Sequence, residues 1–120
     1  MRRLLPALVL VATLAACGGG GGGGGTKSAA STAQCAKGAV VVHMANIAFA
    51  PDKATAKVGQ TVCWVNDDDV QHDVIADGKQ FKSDLFGKGH TFSWKADKAG
   101  AVPYVCSVHP SMTATLTVSG

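Results

Sequence analysis

The sequence predicts an all-β fold, an antiparallel β-sandwich confined to a single domain. Three observations carry that expectation. From Ala39 onward, short runs rich in β-branched and aromatic residues are separated by turn signals made of Gly, Asp and Pro. Within the runs apolar residues recur at every second position, the period of a half-buried strand. No stretch of the domain keeps a helical period long enough to supply a second kind of layer.

The front of the chain reads as an address. Arg2 and Arg3 precede an apolar run, Leu4 to Ala16, broken by Pro6 and Thr13. That is a charged region followed by a hydrophobic one too short to span a bilayer as a helix. The run ends in Leu14-Ala15-Ala16-Cys17, which resembles a bacterial lipobox. Residues 1–16 are then a signal peptide, and Cys17 is the lipidated first residue of the exported protein. The alternative is ordinary cleavage after small residues, which would leave Cys17 an idle thiol. A cysteine of the lipobox type carries more than one acyl chain, enough for stable anchoring.

Eight glycines follow, Gly18 to Gly25, and then a Ser, Thr and Ala-rich stretch. Such a segment has no side chains with which to build a core, so 17–36 is expected to be a flexible tether with a root-mean-square reach of about 20–25 Å. Residues 37–120 are enough for one small domain. The formal charge of +3 comes from eleven basic and eight acidic residues, but Arg2, Arg3 and Lys27 precede the domain. Eight lysines then face eight aspartates, so the domain is neutral and nothing suggests a nucleic-acid partner.

Within the domain the expected strands are Val40 to Val42, Ala54 to Val58, Thr61 to Asn66, His72 to Ala76, Thr91 to Lys95, Ala101 to Cys106 and Ala114 to Val118. Turn signals separate them at Gly59-Gln60, Asp67-Asp68-Asp69, Asp77-Gly78, Gly87-Lys88-Gly89 and Lys98-Ala99-Gly100. The longest irregular stretch, Asp77 to His90, has room for one helical turn around Phe81 to Phe86. Alternation puts Val62 and Trp64 on one face, Phe92 and Trp94 on another, and Val102, Tyr104 and Cys106 on a third. The expected core is Val42, Ile47, Phe49, Val62, Trp64, Val74, Phe92, Trp94, Val102, Tyr104, Leu116 and Val118.

One loop carries chemistry. In "YVCSVHPSM", Tyr104 to Met112, a thiol, an imidazole and a thioether are spaced Cys106-x2-His109-x2-Met112. These side chains share little as packing elements, but all three bind soft metals. A thiolate, two imidazoles and a weak axial thioether make the trigonal site suited to copper in two oxidation states. The second imidazole is best supplied by His72, which starts a strand after the Asp67-Asp68-Asp69 turn with apolar Val74 in phase behind it. His43 and His90 read as solvated or structural histidines.

With these residues in view the domain resembles the small blue copper proteins, the cupredoxins, and most closely their plastocyanin and amicyanin branch. "NIAFAPDKATAKVGQTVCWVNDD", Asn46 to Asp68, carries Phe49-x-Pro51, Val58-Gly59 and Trp64-x-Asn66. "QHDV" supplies the isolated histidine and "AGAVPYVCSVHPSM" the ligand loop, whose short spacing is nearer to amicyanin. The resemblance implies a Greek-key sandwich and one type 1 copper ion held by His72, Cys106, His109 and Met112. The implied activity is one-electron transfer by a monomeric carrier, not an enzyme. The chain departs from relatives at Asp73, where asparagine is common, at the position after Met112, where glycine is usual, and at Val102, often aromatic. Asp73 is expected to accept a hydrogen bond from Ser107 and to lie at the rim of the site. His109, flanked by Val108 and Pro110, is the expected electron port. The implied partners are redox proteins, such as a cytochrome or a copper- or quinone-linked oxidoreductase.

With Cys17 assigned to lipid and Cys106 to metal, Cys35 and Cys63 are left for each other. An exported domain favours their disulfide, and the alternative is two separate thiols. A copper store or delivery protein is the competing function. Such proteins usually carry many Met and His ligands, whereas beyond Met1 this chain has only Met44 and Met112. An oxidase would need paired His-x-His motifs, which are absent. Asp67-Asp68-Asp69 reads as a solvated turn, with a docking patch for a basic partner as the alternative.

Overall fold

The computed structural model describes residues 34–120. The signal segment, the lipobox with Cys17, and the tether up to residue 33 lie outside the described residues. None of the described residues forms a helix long and apolar enough to cross a membrane.

Eight strands are formed: β1 (Val40–Ala45), β2 (Ala48–Ala50), β3 (Lys53–Lys57), β4 (Thr61–Asn66), β5 (Ile75–Ala76), β6 (Thr91–Lys95), β7 (Gly100–Cys106) and β8 (His109–Ser119). They build two four-stranded sheets, β2-β1-β4-β6 and β3-β8-β7-β5, packed face to face as a sandwich. Hairpins account for two of the antiparallel pairs, β1 with β2 and β7 with β8, while β4 with β6 and β5 with β7 are joined through longer connections. Two pairs, β1 with β4 and β3 with β8, run parallel, so both sheets are mixed. Alternation in a sequence marks faces but not strand direction, and so could not reveal this.

The core follows the predicted faces. Val42, Val62, Trp64, Val74, Phe92, Val102, Tyr104, Leu116 and Val118 are all buried. Trp64 is its centre, with ring centroids 5.0 Å from Phe81, 5.5 Å from Tyr104 and 5.6 Å from Phe92. Phe49 meets Tyr104 edge-on at 4.7 Å. Such tilted and edge-on pairs add to plain area burial. Trp94 is only half-buried, packed against the rim of the core.

Ile47 is a correction. It is exposed, because residues 46 and 47 turn the chain between β1 and β2 with φ of 54° and 55°. Positive φ is costly for a β-branched side chain. Here the conformation is held by Asp68, whose carboxylate accepts hydrogen bonds from the amides of Asn46 (2.7 Å) and Ile47 (2.9 Å). The helical turn expected around Phe81 to Phe86 does not form. That stretch lies as extended backbone with isolated bridges, His72 to Phe86 and Ile75 to Lys82. Phe81 and Phe86 are both buried there, although their odd separation would put them on opposite faces of a regular strand. The strand expected from His72 is correspondingly short, only Ile75–Ala76.

Cys35 and Cys63 are joined by a disulfide that fastens the segment ahead of β1 to β4. Cys106 is the one free cysteine among the described residues, and it is buried.

Candidate metal centre

β7 and β8 form one long hairpin, and Cys106 pairs with His109 across its tip after a register shift at Val105/Cys106. The shift breaks the ladder there, and Ser107 and Val108 make the turn. His72 comes from the loop between β4 and β5, held against Phe86. Its amide donates to the Phe86 carbonyl (3.1 Å), which also accepts from the Asn66 side chain (2.9 Å). Asn66, fully buried, also donates to the Val70 carbonyl (2.9 Å) and accepts from the Asp68 amide (2.8 Å). One asparagine thus shapes the loop that delivers His72.

The result is a compact triangle of donor atoms. His72 Nδ1 lies 3.2 Å from His109 Nδ1 and 3.7 Å from Cys106 Sγ, and His109 Nδ1 lies 3.6 Å from the same sulfur. These three side chains form the one group among the described residues with metal-ligating geometry. Trigonal ligands at bond lengths of about 2.0 Å for nitrogen and about 2.3 Å for sulfur would stand about 3.5–3.7 Å apart. The observed edges nearly match, so the residues fit a single bound ion.

The protonation pattern points the same way. His72 is fully buried, and its other ring nitrogen, Nε2, sits 2.8 Å from Asp68 Oδ2. A carboxylate accepts, so Nε2 carries the proton and Nδ1 presents a bare lone pair to the triangle. This is the carboxylate–histidine arrangement that orients metal-bound imidazoles. Partial burial works against ionisation of Asp68. The hydrogen bonds from His72, Ile47 and Asn46 outweigh it and hold the carboxyl below its usual range.

Met112, the fourth residue of the sequence set, is buried in β8 three residues beyond His109. Asp73 accepts hydrogen bonds from Ser107, through one oxygen from the amide (2.6 Å) and through the other from the hydroxyl. Asp73 is buried, at 5% exposure, which corrects the expectation of a position at the rim. His109 is half-buried, and its neighbours Val108 and Pro110 are exposed. His43 and His90 stay outside the triangle.

Asp68 was missed from the sequence, because an aspartate in a run of three gives no sign of which one turns inward. The other two are engaged at the surface, Asp67 with His43 (2.7 Å) and Asp69 with Lys88 (3.2 Å). The acidic turn is therefore largely committed to contacts within the domain.

Comparison with known proteins agrees with this geometry. The family model for copper-binding proteins of the plastocyanin/azurin family matches residues 36–119. Amicyanin of Paracoccus denitrificans is 29% identical over 93 residues, covering 73% of this chain and 71% of that protein. Plastocyanin of Scenedesmus fuscus is 32% identical over 85 residues, covering 60% of this chain and 87% of that protein. Among solved structures, the Cu(I) form of an amicyanin mutant superposes with a TM-score of 0.73 at 27% identity, covering 78% of this chain and 95% of that one.

Proposed function

This chain belongs to the plastocyanin/azurin family of copper-binding proteins, and from that premise we propose that it carries single electrons between redox partners outside the cytoplasm. The observation that carries the reading is the convergence of His72 Nδ1, Cys106 Sγ and His109 Nδ1 into one triangle. Its cofactor is one type 1 copper ion, which supplies a reversible one-electron couple when bound. His72, Cys106 and His109 are the trigonal ligands in this reading, and Met112 is the weak axial donor.

The protein's part is to hold those donors still. Asp68 fixes the His72 ring from behind, Asn66 fixes the loop that carries it, and Asp73 ties that loop to the hairpin tip through Ser107. Ligands locked by surrounding hydrogen bonds move little when the charge at the site changes, which keeps reorganisation small. His109 is the one half-exposed member of the triangle, and so it is the port through which an electron leaves. The partners are redox proteins, such as a cytochrome or a copper- or quinone-linked oxidoreductase. Residues 1–16 export the chain, and lipid on Cys17 anchors it to a bacterial membrane, with the monomeric domain in the periplasm or on the cell surface.

The test is copper addition to the purified protein, followed by visible spectroscopy and voltammetry. Electron transfer requires an intense thiolate-to-copper band and a reversible one-electron wave. A colourless copper complex, or one with no reversible wave, would replace this reading with metal storage or delivery.

A further inference from the structure

The chain enters the domain at one end of the sandwich and the ligand triangle sits at the other. The turns at the entry end are stitched together by hydrogen bonds: Gly59 N to Ala96 O (2.7 Å), Ala96 N to Gln60 O (2.9 Å), Gln60 Nε2 to Gly38 O (3.3 Å) and Val58 N to Ser119 O (2.8 Å). β7 starts at this end with Gly100 and finishes at Cys106. Its rise of about 3.3 Å per residue puts the ligands about 20 Å away.

Charge is divided between the same two ends. Lys37, Lys57, Lys95 and Lys98 are exposed at the entry end, and none has an ion-pair partner among the described residues. Asp97 is the one acidic side chain on those turns, and Val58 stands exposed among the lysines. The ligand end holds Asp67, Asp68, Asp69 and Asp73, with Lys88 paired to Asp69. A domain with no net charge therefore has a basic pole and an acidic pole.

We propose that the basic pole is a membrane-facing surface for anionic phospholipid headgroups, which stands the domain upright with His109 turned away from the bilayer. The proposal rests on the reading that Cys17 is lipid-anchored. A tether with the reach expected from its composition, about 20–25 Å, would let either pole meet the bilayer, so anchoring alone does not choose an orientation. Charge does: unpaired lysines are drawn to an anionic surface, and the aspartates of the ligand end are repelled by it. An acidic protein partner would fit four lysines as well, but the lysines lie where the chain comes from its anchor, with Lys27 in the tether itself. They therefore face lipid first.

The test is amine footprinting of the full chain on vesicles, with acylation of each lysine followed by mass spectrometry. Vesicles of phosphatidylcholine alone are compared with vesicles of phosphatidylcholine and phosphatidylglycerol. Acylation of Lys37, Lys57, Lys95 and Lys98 should slow at least about threefold on the anionic vesicles and recover in high salt, with Lys82 and Lys88 unchanged. Equal rates on both vesicles, or slowing of every lysine alike, overturns the proposal. Flotation with phosphatidylcholine vesicles tests the anchor separately. A chain that stays behind has no anchor, and the footprint on anionic vesicles still decides whether the basic pole binds lipid.

Discussion

Asp73 and Ser107, each the residue after a proposed ligand, are bound to one another through both the amide and the hydroxyl of the serine. The pairing makes Asp73 a structural tie as well as a buried negative charge. An oxidised copper site carries one more positive charge than a reduced one, so a nearby carboxylate favours the oxidised form. With a separation of about 7 Å and an effective dielectric near 20 taken as inputs, Coulomb's law gives about 2 kcal/mol. For a one-electron couple that is on the order of 100 mV. Asp73→Asn keeps an acceptor for Ser107 and removes only the charge, so its reduction potential should rise by tens of millivolts up to that limit. An unchanged or lower potential by voltammetry would show that Asp73 is not an electrostatic tuner.

Cys106→Ser should lose the intense colour, because the absorption arises from the thiolate. Cys106 is fully buried, so placing a hydroxyl there should also cost about 1–3 kcal/mol of stability where it lacks a partner. Circular dichroism reads the fold and visible spectroscopy the band. A folded, strongly blue Cys106→Ser protein removes Cys106 from the ligand set.

Met112→Leu replaces one buried apolar side chain by another of similar volume, a swap that usually costs under about 1.5 kcal/mol. As a weak axial donor Met112 tunes the site rather than creating it. The variant should therefore stay blue and show a higher potential, since a donor that favours copper(II) is gone. Complete loss of copper binding would assign Met112 a larger role.

Removing the crosslink with Cys35→Ser and Cys63→Ser frees a loop of sequence separation 28. In the chain-entropy model that loop is worth about 3–4 kcal/mol. Urea unfolding should report a loss of that order while the visible spectrum of the copper-loaded protein stays the same. A spectral change would mean that the crosslink shapes the site itself.

Tyr104 is the only tyrosine, so its ionisation can be followed without interference. Burial pushes its phenol up to about 12, opposed by the nearby Trp64 indole N–H and reinforced by the charge of Asp52. Folding therefore favours the neutral phenol. The stability this contributes is fully present below pH 10.0, the ordinary value, and is lost as pH rises through about 12. Phenolate absorbance should appear near pH 12 in the native protein and near pH 10 in urea. Native ionisation at pH 10 would place Tyr104 in contact with water.

The parts legible in the sequence are those written locally. Alternation marked the faces of β4, β6 and β7, and the site's thiol, one imidazole and thioether share a single loop. What escaped depends on contacts across space. Nothing in an acidic triplet says that Asp68 turns inward to His72, or that it holds Ile47 at a positive φ and so keeps that side chain out of the core. Phe81 to Phe86 offered apolar residues without enough of them to separate a helical turn from extended chain. The direction of β1 against β4 and of β3 against β8 is a property of topology, which periodicity does not encode.

The proposed ligands divide unevenly along the chain. Cys106, His109 and Met112 lie within one short stretch of sequence and so stay near one another even when the protein is unfolded, whereas His72 lies 34 residues from Cys106 and reaches it only through the fold. A denatured chain therefore remains a partial chelator. A metal that also binds the unfolded state raises the melting temperature only by the margin between the two affinities. For this protein that margin is the contribution of His72 and of the Asp68 and Asn66 contacts that aim it. Thermal denaturation with and without copper thus weighs one distant histidine against a ready-made loop.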